Sequence, residues 1–262
     1  MPQFPLTLGG TGPEVRPYLE CALLAGVPIP GQLIGIGENY WPDHPEGSGL
    51  PPSPGPAGGT APDRRAPGRI PLVFGKLPGS LTAGGEPIIL SPALAGTVVC
   101  EGELAVVLRS VLKDAATEEE ALAAVAGVTV ANDVSARDLQ AADLQSTRGK
   151  SLDTFCPLGP ELVTLDDIPD LQTLRLVTRI NGAVVQDSST SQMVFSVAEL
   201  LMFCSRFMTL YPGDVILTGT PWAADESVLE LHPGDTVSVS IEGVGTLTNP
   251  VASANSLAAG RT

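Results

Sequence analysis

Three carboxylates set in apolar surroundings raise the first question about chemistry. The run "VVCEGELAVVL", from Val98 to Leu108, is otherwise Val, Leu, Ala, Gly and Cys. That is the composition of a strand buried on at least one face, where an unpaired carboxylate is costly. Side chains alternate across a strand, so Glu101 and Glu103 project from one face beside Ala105 and Val107. Two like charges that close raise each other's pKa unless something positive lies between them. Asp133 ends a second apolar run in "VTVANDVSARDLQ", where a buried strand meets a loop. Three oxygen donors with no His or Cys among them suit a hard cation such as Mg²⁺ or Mn²⁺ and not zinc. On spacing alone an E-x-E pair on a strand is more often a solvated face than a metal site, and that reading stays open.

The elements that must position these groups are mostly strands. "IPLVFGK", "EPIILSPAL", "DVILTGTP", "DTVSVSIEG" and "GTLTNPV" are short β segments between Gly, Pro and Asp turns. "LRLVTRING" and "AVVQDS" form a hairpin about Asn181-Gly182, a type I′ turn signal. Two helices carry capping boxes, "ATEEEALAAVAG" with Thr117 and Glu120, and "SVAELLMFCSRFM" with Ser196 and Glu199. A further helical candidate spans Glu14 to Gly26. Residues 45–71 are dominated by Pro and Gly and make a long loop, read as a lid because motif residues flank it. The fold class expected is mixed α+β, mostly β, with a few peripheral helices. Residues 1–34 form a short N-terminal segment and residues 35–262 one catalytic domain.

Charge bounds the partners. Fourteen basic against 29 acidic residues give a net charge of −15, which argues against nucleic acid or an anionic membrane. The four cysteines lie in apolar segments without C-x-x-C spacing, as buried free thiols in a reducing compartment do. The expected location is the cytoplasm. The chain has three lysines, Lys76, Lys113 and Lys150, so a lysine inside a motif is informative.

The motifs "EGELAVVL", "NDVSARDLQ", "RGKSLDTFCPLGP", "NGAVVQDSSTSQMVFSVAELLMFCSRFMTLYPGDVILTGTP" and "LHPGDTVSVSIEGVGTLTNPV" resemble, in order and spacing, the fumarylacetoacetate hydrolase family. The resemblance covers about Gly35 to Val251. It implies that family's mixed β-roll, commonly a homodimer, with a divalent cation on Glu101, Glu103 and Asp133. It also implies that Lys150 donates to an oxyanion beside the metal, that Gln140 hydrogen bonds the substrate or a metal-bound water, that Arg137 and Lys76 contact the substrate, and that Thr220 binds its carboxylate. A small-molecule 2-oxo acid is the implied substrate. Its C–C cleavage, decarboxylation or keto-enol isomerisation would each pass through an enolate that a bound metal stabilises.

The chain departs from the family on the lid. Hydrolytic members carry "NYxxH" followed by x-x-E as a water-activating pair, whereas "GENYWPDHPEG" has one extra residue before His44 and places Glu46 only two positions beyond it. An i,i+2 pair does not meet on a helical turn, so a His44–Glu46 dyad requires a non-helical loop, which Pro45 favours. Glu38 is also unusual, and could orient His44, substitute for Glu46 or repel an acidic substrate tail. In "WAADESVLE", Trp222 could narrow the pocket. His232, in "LHPGD", is expected to be exposed and inert. The first expectation is a metal-dependent hydrolase of a β-diketo or acylpyruvate-type acid with His44, Glu46, Glu38 and Lys150 catalytic. The alternatives are an oxaloacetate-type decarboxylase, a 2-hydroxyhepta-2,4-diene-1,7-dioate-type isomerase, and a non-catalytic ligand-binding member.

Overall fold

The computed structural model describes residues 30–41, 69–91, 93–223 and 225–254. The helical candidate at Glu14–Gly26, Cys21, most of the Pro/Gly-rich lid, and with it His44 and Glu46, lie outside the described residues. Within them, fourteen strands and four α-helices follow one another, so the mostly-β expectation holds.

The larger sheet takes seven strands: β1 (Leu33–Gly37), β2 (Leu72–Lys76), β3 (Leu81–Ala83), β6 (Gly102–Leu108), β7 (Val125–Asn132), β9 (Cys156–Val163) and β12 (Val215–Leu217). Their order is β2-β1-β12-β6-β7-β9-β3, with β1/β12 and β3/β9 parallel and the other pairs antiparallel. A five-stranded sheet holds β4 (Ile88–Leu90), β10 (Arg175–Ile180), β11 (Ala183–Ser189), β13 (Thr236–Ile241) and β14 (Gly245–Ser253) in the order β11-β10-β13-β14-β4. The pair β5 (Val98–Val99) and β8 (Ser135–Ala136) stands apart.

The main core lies between the two larger sheets. Leu104, Val106, Leu108, Val128 and Val130 of β6 and β7 are in one cluster with Leu176, Val239, Ile241 and Leu247 of the second sheet. The opposite face of β6, with Ala105 and Val107, packs in a separate cluster with Leu33, Ala131, Cys156 and Leu217. Both faces are therefore buried, and β6 reads as a continuous hydrophobic run for that reason.

Gly102, between the two glutamates, marks where the sheets touch. A Cβ there would lie 2.2 Å from Thr178 Oγ1 and 2.9 Å from Val239 Cγ1. Only glycine lets β6 approach the second sheet at that point, a close approach of the kind that glycine in a strand often signals.

Helix α1 (Glu118–Ala123) ends sooner than "ATEEEALAAVAG" suggested, because Val125 already pairs with Leu108 in the sheet. Thr117 caps the Glu120 amide as expected, but the Glu120 carboxylate accepts from Ala116 N at 2.8 Å and not from Thr117. Helices α2 (Arg137–Asp143) and α3 (Thr147–Lys150) are short and were not foreseen. Helix α4 (Val197–Phe207) has the full reciprocal capping box of Ser196 and Glu199. The β10–β11 hairpin turns at Asn181 and Gly182, both at positive φ, as a type I′ turn requires. Cys100, Cys156 and Cys204 are buried free thiols.

Candidate metal centre

The single strand expected over Val98–Leu108 is two segments. β5 pairs with β8, β6 begins at Gly102, and Glu101 sits in the step between them. Its position is fixed from both sides: Glu101 N donates to Asn132 Oδ1 at 2.9 Å, and its carbonyl accepts from Asp133 N at 2.8 Å. Glu103 lies one residue into β6 and Asp133 one residue past β7, so the end of this antiparallel ladder gathers all three acids. Their carboxylate oxygens lie within 4.8 Å of one another and all three residues are buried.

Cations surround the triad unevenly. Lys150, the last residue of α3, sets Nζ 2.6 Å from Glu101 Oε2 and also hydrogen bonds Asp133 Oδ2. The same ammonium lies 4.9 Å from the centre of the Phe74 ring, a cation–π contact. Gly149 lets α3 come this close, since a Cβ there would lie 2.8 Å from Ala136 O and 2.7 Å from Gln140 Cγ. Lys76, at the end of β2, reaches Asp133 Oδ1 at 2.5 Å, Phe155 O at 2.9 Å and Val134 O at 3.4 Å. Its three donors all have acceptors, so contact with a substrate would require Lys76 to give one of them up. Glu103 differs from its neighbours: the Gly219 amide donates to its Oε2 at 2.6 Å, and it has no ion pair among the described residues.

The titration of the three groups follows this asymmetry. Burial alone would push Glu101 up, but Lys150 and Arg137 outweigh it and hold its carboxyl at about 2. Burial and the adjacent Asp133 drive Glu103 well above the usual carboxylate range. Lys150 is pushed down by burial and more than restored by Asp133 and Glu101, so its ammonium stays charged. An all-oxygen, buried set that leaves one carboxylate without an ionic partner fits a hard divalent cation.

A polar strip runs out from the triad. Arg137 Nη1 lies 2.8 Å from Glu101 Oε1 and donates to Gln140 Oε1 at 3.1 Å, and Arg137 Nε lies 3.3 Å from Glu226 Oε2. Thr220 is joined to β6 as well, donating to Gly102 O and accepting from Gln186 Nε2, each at 2.9 Å. Five of the residues expected at the site, Glu101, Asp133, Lys76, Lys150 and Arg137, are thus linked by direct contacts, with the Glu103 carboxylate within 4.8 Å of the other two acids, Gln140 one step out and Thr220 against the backbone between the glutamates. Glu38 stands apart at φ 53° with its carboxylate on Arg69 at 3.2 Å. His232 is exposed, with Glu230 and Asp235 each 3.8 Å away.

Sequence reading passed over Asn132, Gly219, Phe74 and Glu226. Asn132 and Gly219 act through a side-chain oxygen and a backbone amide that only the fold aims at Glu101 and Glu103, and their signal was their place inside "ANDV" and "TGTP". An open cleft of about 530 Å³ lined by Gln32, Met208, Tyr211 and Asp214 includes none of these site residues. Asp214 is occupied there, accepting from Gln32 and the Tyr211 amide.

Comparison with known proteins points the same way. Human mitochondrial oxaloacetate tautomerase FAHD2B is 39% identical over 242 residues, 90% of this chain and 71% of that protein. The Mycobacterium smegmatis 5-carboxymethyl-2-hydroxymuconate delta-isomerase structure is 41% identical with a TM-score of 0.71, covering 86% of this chain and 79% of the other. The fumarylacetoacetate hydrolase of Exiguobacterium antarcticum has a TM-score of 0.73 at 37% identity, covering 85% and 75%. The family model described as fumarylacetoacetate (FAA) hydrolase C-terminal matches residues 33–252. That span opens with β1, ends inside β14 and contains the whole acidic triad, and this chain therefore belongs to the fumarylacetoacetate hydrolase family.

Proposed function

We propose that the chain is a divalent-metal-dependent enzyme of 2-oxo acids that works by enolate chemistry, and that its reaction is keto-enol isomerisation of an oxaloacetate-type acid. The observation that carries this reading is the convergence of Glu101, Glu103 and Asp133 within 4.8 Å, all buried, with the Lys150 ammonium bridging Glu101 and Asp133. A cation held by the three carboxylates, Mg²⁺ or Mn²⁺, would supply Lewis-acid stabilisation to negative charge developing on the substrate's oxygens.

The chain's own residues provide the rest. Lys150 is kept protonated in a buried site, so it can donate to a developing oxyanion where a hydrogen bond is strongest. Arg137, beside Glu101, offers a guanidinium to a substrate carboxylate, and Thr220 would offer its hydroxyl proton by releasing Gly102 O. Isomerisation asks only that a proton leave carbon and arrive on oxygen, and two relatives carry names of this class, an oxaloacetate tautomerase and a muconate isomerase. Hydrolytic C–C cleavage is the second reading, supported by the hydrolase relative. It would need a water-activating pair, and with Glu38 tied to Arg69 that duty would fall to His44 and Glu46. A homodimer in a reducing compartment, the cytoplasm, completes the proposal; the three buried free thiols support the compartment.

The test is to follow the ultraviolet absorbance of enol-oxaloacetate with purified protein and Mg²⁺. Faster keto-enol equilibration that EDTA abolishes is the expected result. Release of carbon dioxide would replace the reading with decarboxylation. Cleavage of an acylpyruvate with solvent oxygen entering the acid product would replace it with hydrolysis.

A further inference from the structure

Arg137 faces two carboxylates, and only one belongs to the triad. Glu101 Oε1 takes Nη1 at 2.8 Å. Glu226 Oε2 lies 3.3 Å from Nε in a charge contact without hydrogen-bond alignment. Glu226 is half exposed, at 51%, while Glu101 is 7% exposed, so the guanidinium has a buried partner toward the triad and a wet one toward solvent.

Glu226 is not held there by chance. It opens a 3₁₀ turn, Glu226–Leu229, capped by the Asp225 side chain, which accepts from Ser227 N at 2.9 Å. The turn buries Leu229, whose carbonyl accepts from Cys100 N at 3.0 Å, and Leu231 N donates to Val98 O at 2.8 Å. Arg137 N donates to Thr97 O at 2.9 Å. Both members of the pair are therefore pinned to the segment from Thr97 to Cys100 that leads into Glu101. Backbone contacts on a shared strand fix their meeting, whereas two long side chains on unrelated loops would lose entropy to hold it.

We propose that Glu226 is a specificity-determining residue: it occupies on Arg137 the place that the distal carboxylate of a 2-oxo dioate would take. Dioates, the proposed oxaloacetate-type substrate included, then bind by displacing Glu226 from the guanidinium, which weakens their binding without barring it, and acids with an uncharged tail enter without that competition. This inference rests on the proposed 2-oxo acid chemistry for the site, and on Arg137 as the group that would receive a second carboxylate.

The test uses the full chain with Mg²⁺ and two non-reacting probes, malate and lactate, which share the 2-hydroxy acid end and differ in the distal carboxylate. In calorimetric titration, Glu226→Gln is expected to bind malate about three- to fivefold more tightly, the range for relieving one part-exposed charge pair. Lactate affinity and melting temperature should stay at wild-type values. Glu226→Lys should exceed Glu226→Gln in the same direction, and Glu226→Asp should keep wild-type selectivity. With oxaloacetate, the KM of Glu226→Gln should fall while kcat holds. An equal shift for malate and lactate, or an unchanged malate affinity, would overturn the inference. Wild-type protein that turns over no 2-oxo acid would end the proposed reaction alone, because the malate-to-lactate ratio is read without turnover.

Discussion

Two groups of ion pairs in this chain share their chemistry and differ in their surroundings. On the β10–β11 hairpin, Arg175 grips Asp187 through Nε at 2.9 Å and Nη2 at 2.6 Å, and the two side chains are 62% and 43% exposed. At the end of the β6–β7 ladder, Lys76 and Lys150 hold Asp133 and Glu101 with no side chain more than 7% exposed. The hairpin pair has the better fork geometry and the smaller consequence, because water screens it and each partner is well solvated alone. At the ladder's end, desolvating each charge costs several kcal/mol, and a core built for stability alone would do as well with apolar residues there. Charge retained there, around a carboxylate with no ion pair among the described residues, marks a functional site, and three buried oxygen donors suit a hard cation.

Breaking the ladder's end should therefore give the largest effect. The double variant Glu101→Ala, Glu103→Ala is expected to lower turnover of a 2-oxo acid by on the order of a thousandfold or more, since Lewis-acid stabilisation supplies several kcal/mol. It should also lose the rise in melting temperature that Mg²⁺ gives the wild type, because a ligand stabilises only the state that binds it. Full activity in this variant would refute the metal reading. Lys150→Met comes next. Glu101 keeps Arg137 and Asp133 keeps Lys76, so the fold and the Mg²⁺-dependent stabilisation should survive. Loss of the donor itself should lower kcat by about a hundred- to a thousandfold. A Lys150→Met protein that no longer responds to Mg²⁺ would show that the lysine organises the carboxylates and is not a donor to substrate.

Between the two regions lies Gly102, and it sets the third expectation. Gly102→Ala should destabilise the protein by about 1 to 3 kcal/mol, the usual cost of overpacking, because the new methyl would meet Thr178 Oγ1 at 2.2 Å. Adding Thr178→Ala should recover part of the loss in a denaturant titration. No recovery would mean that the strain lies on the Val239 side of the contact.

The legible parts of this molecule were the local ones. Alternation and turn residues revealed the hairpin at Asn181-Gly182, and Ser196 with Glu199 revealed the start of α4, because those signals act over four residues or fewer. The three acids were legible as types and spacing, even though Glu101 proved to lie in a step between strands. What could not be read was set by contacts across the fold. Only the family resemblance put the two lysines at the site, and no local pattern gave their partners, because Lys76 meets Asp133 over 57 residues and Lys150 meets Glu101 over 49. The glycine in "EGE" had no visible purpose until Thr178 and Val239 were opposite it, and Glu226 looked like one more acid in a chain with a net charge of −15.

The smallest expected effect completes the comparison. Hydrogen bonding to Arg175 holds the Asp187 carboxyl below its ordinary value. A carboxylate whose pKa is depressed by folding adds stability above its unfolded pKa, about 3.9, and loses that contribution as pH falls through the lower folded value. Asp187→Asn should thus change the melting temperature only slightly at neutral pH, and the gap between variant and wild type should close as the pH drops below about 4. The exposure of both side chains keeps the effect near the resolution of a thermal melt. If Asp187→Asn lost as much stability as Gly102→Ala, or if the gap persisted in acid, solvent would not be screening the hairpin pair. Burial would then no longer separate the two regions, and the case that the ladder's end holds its charges for function would lose its contrast.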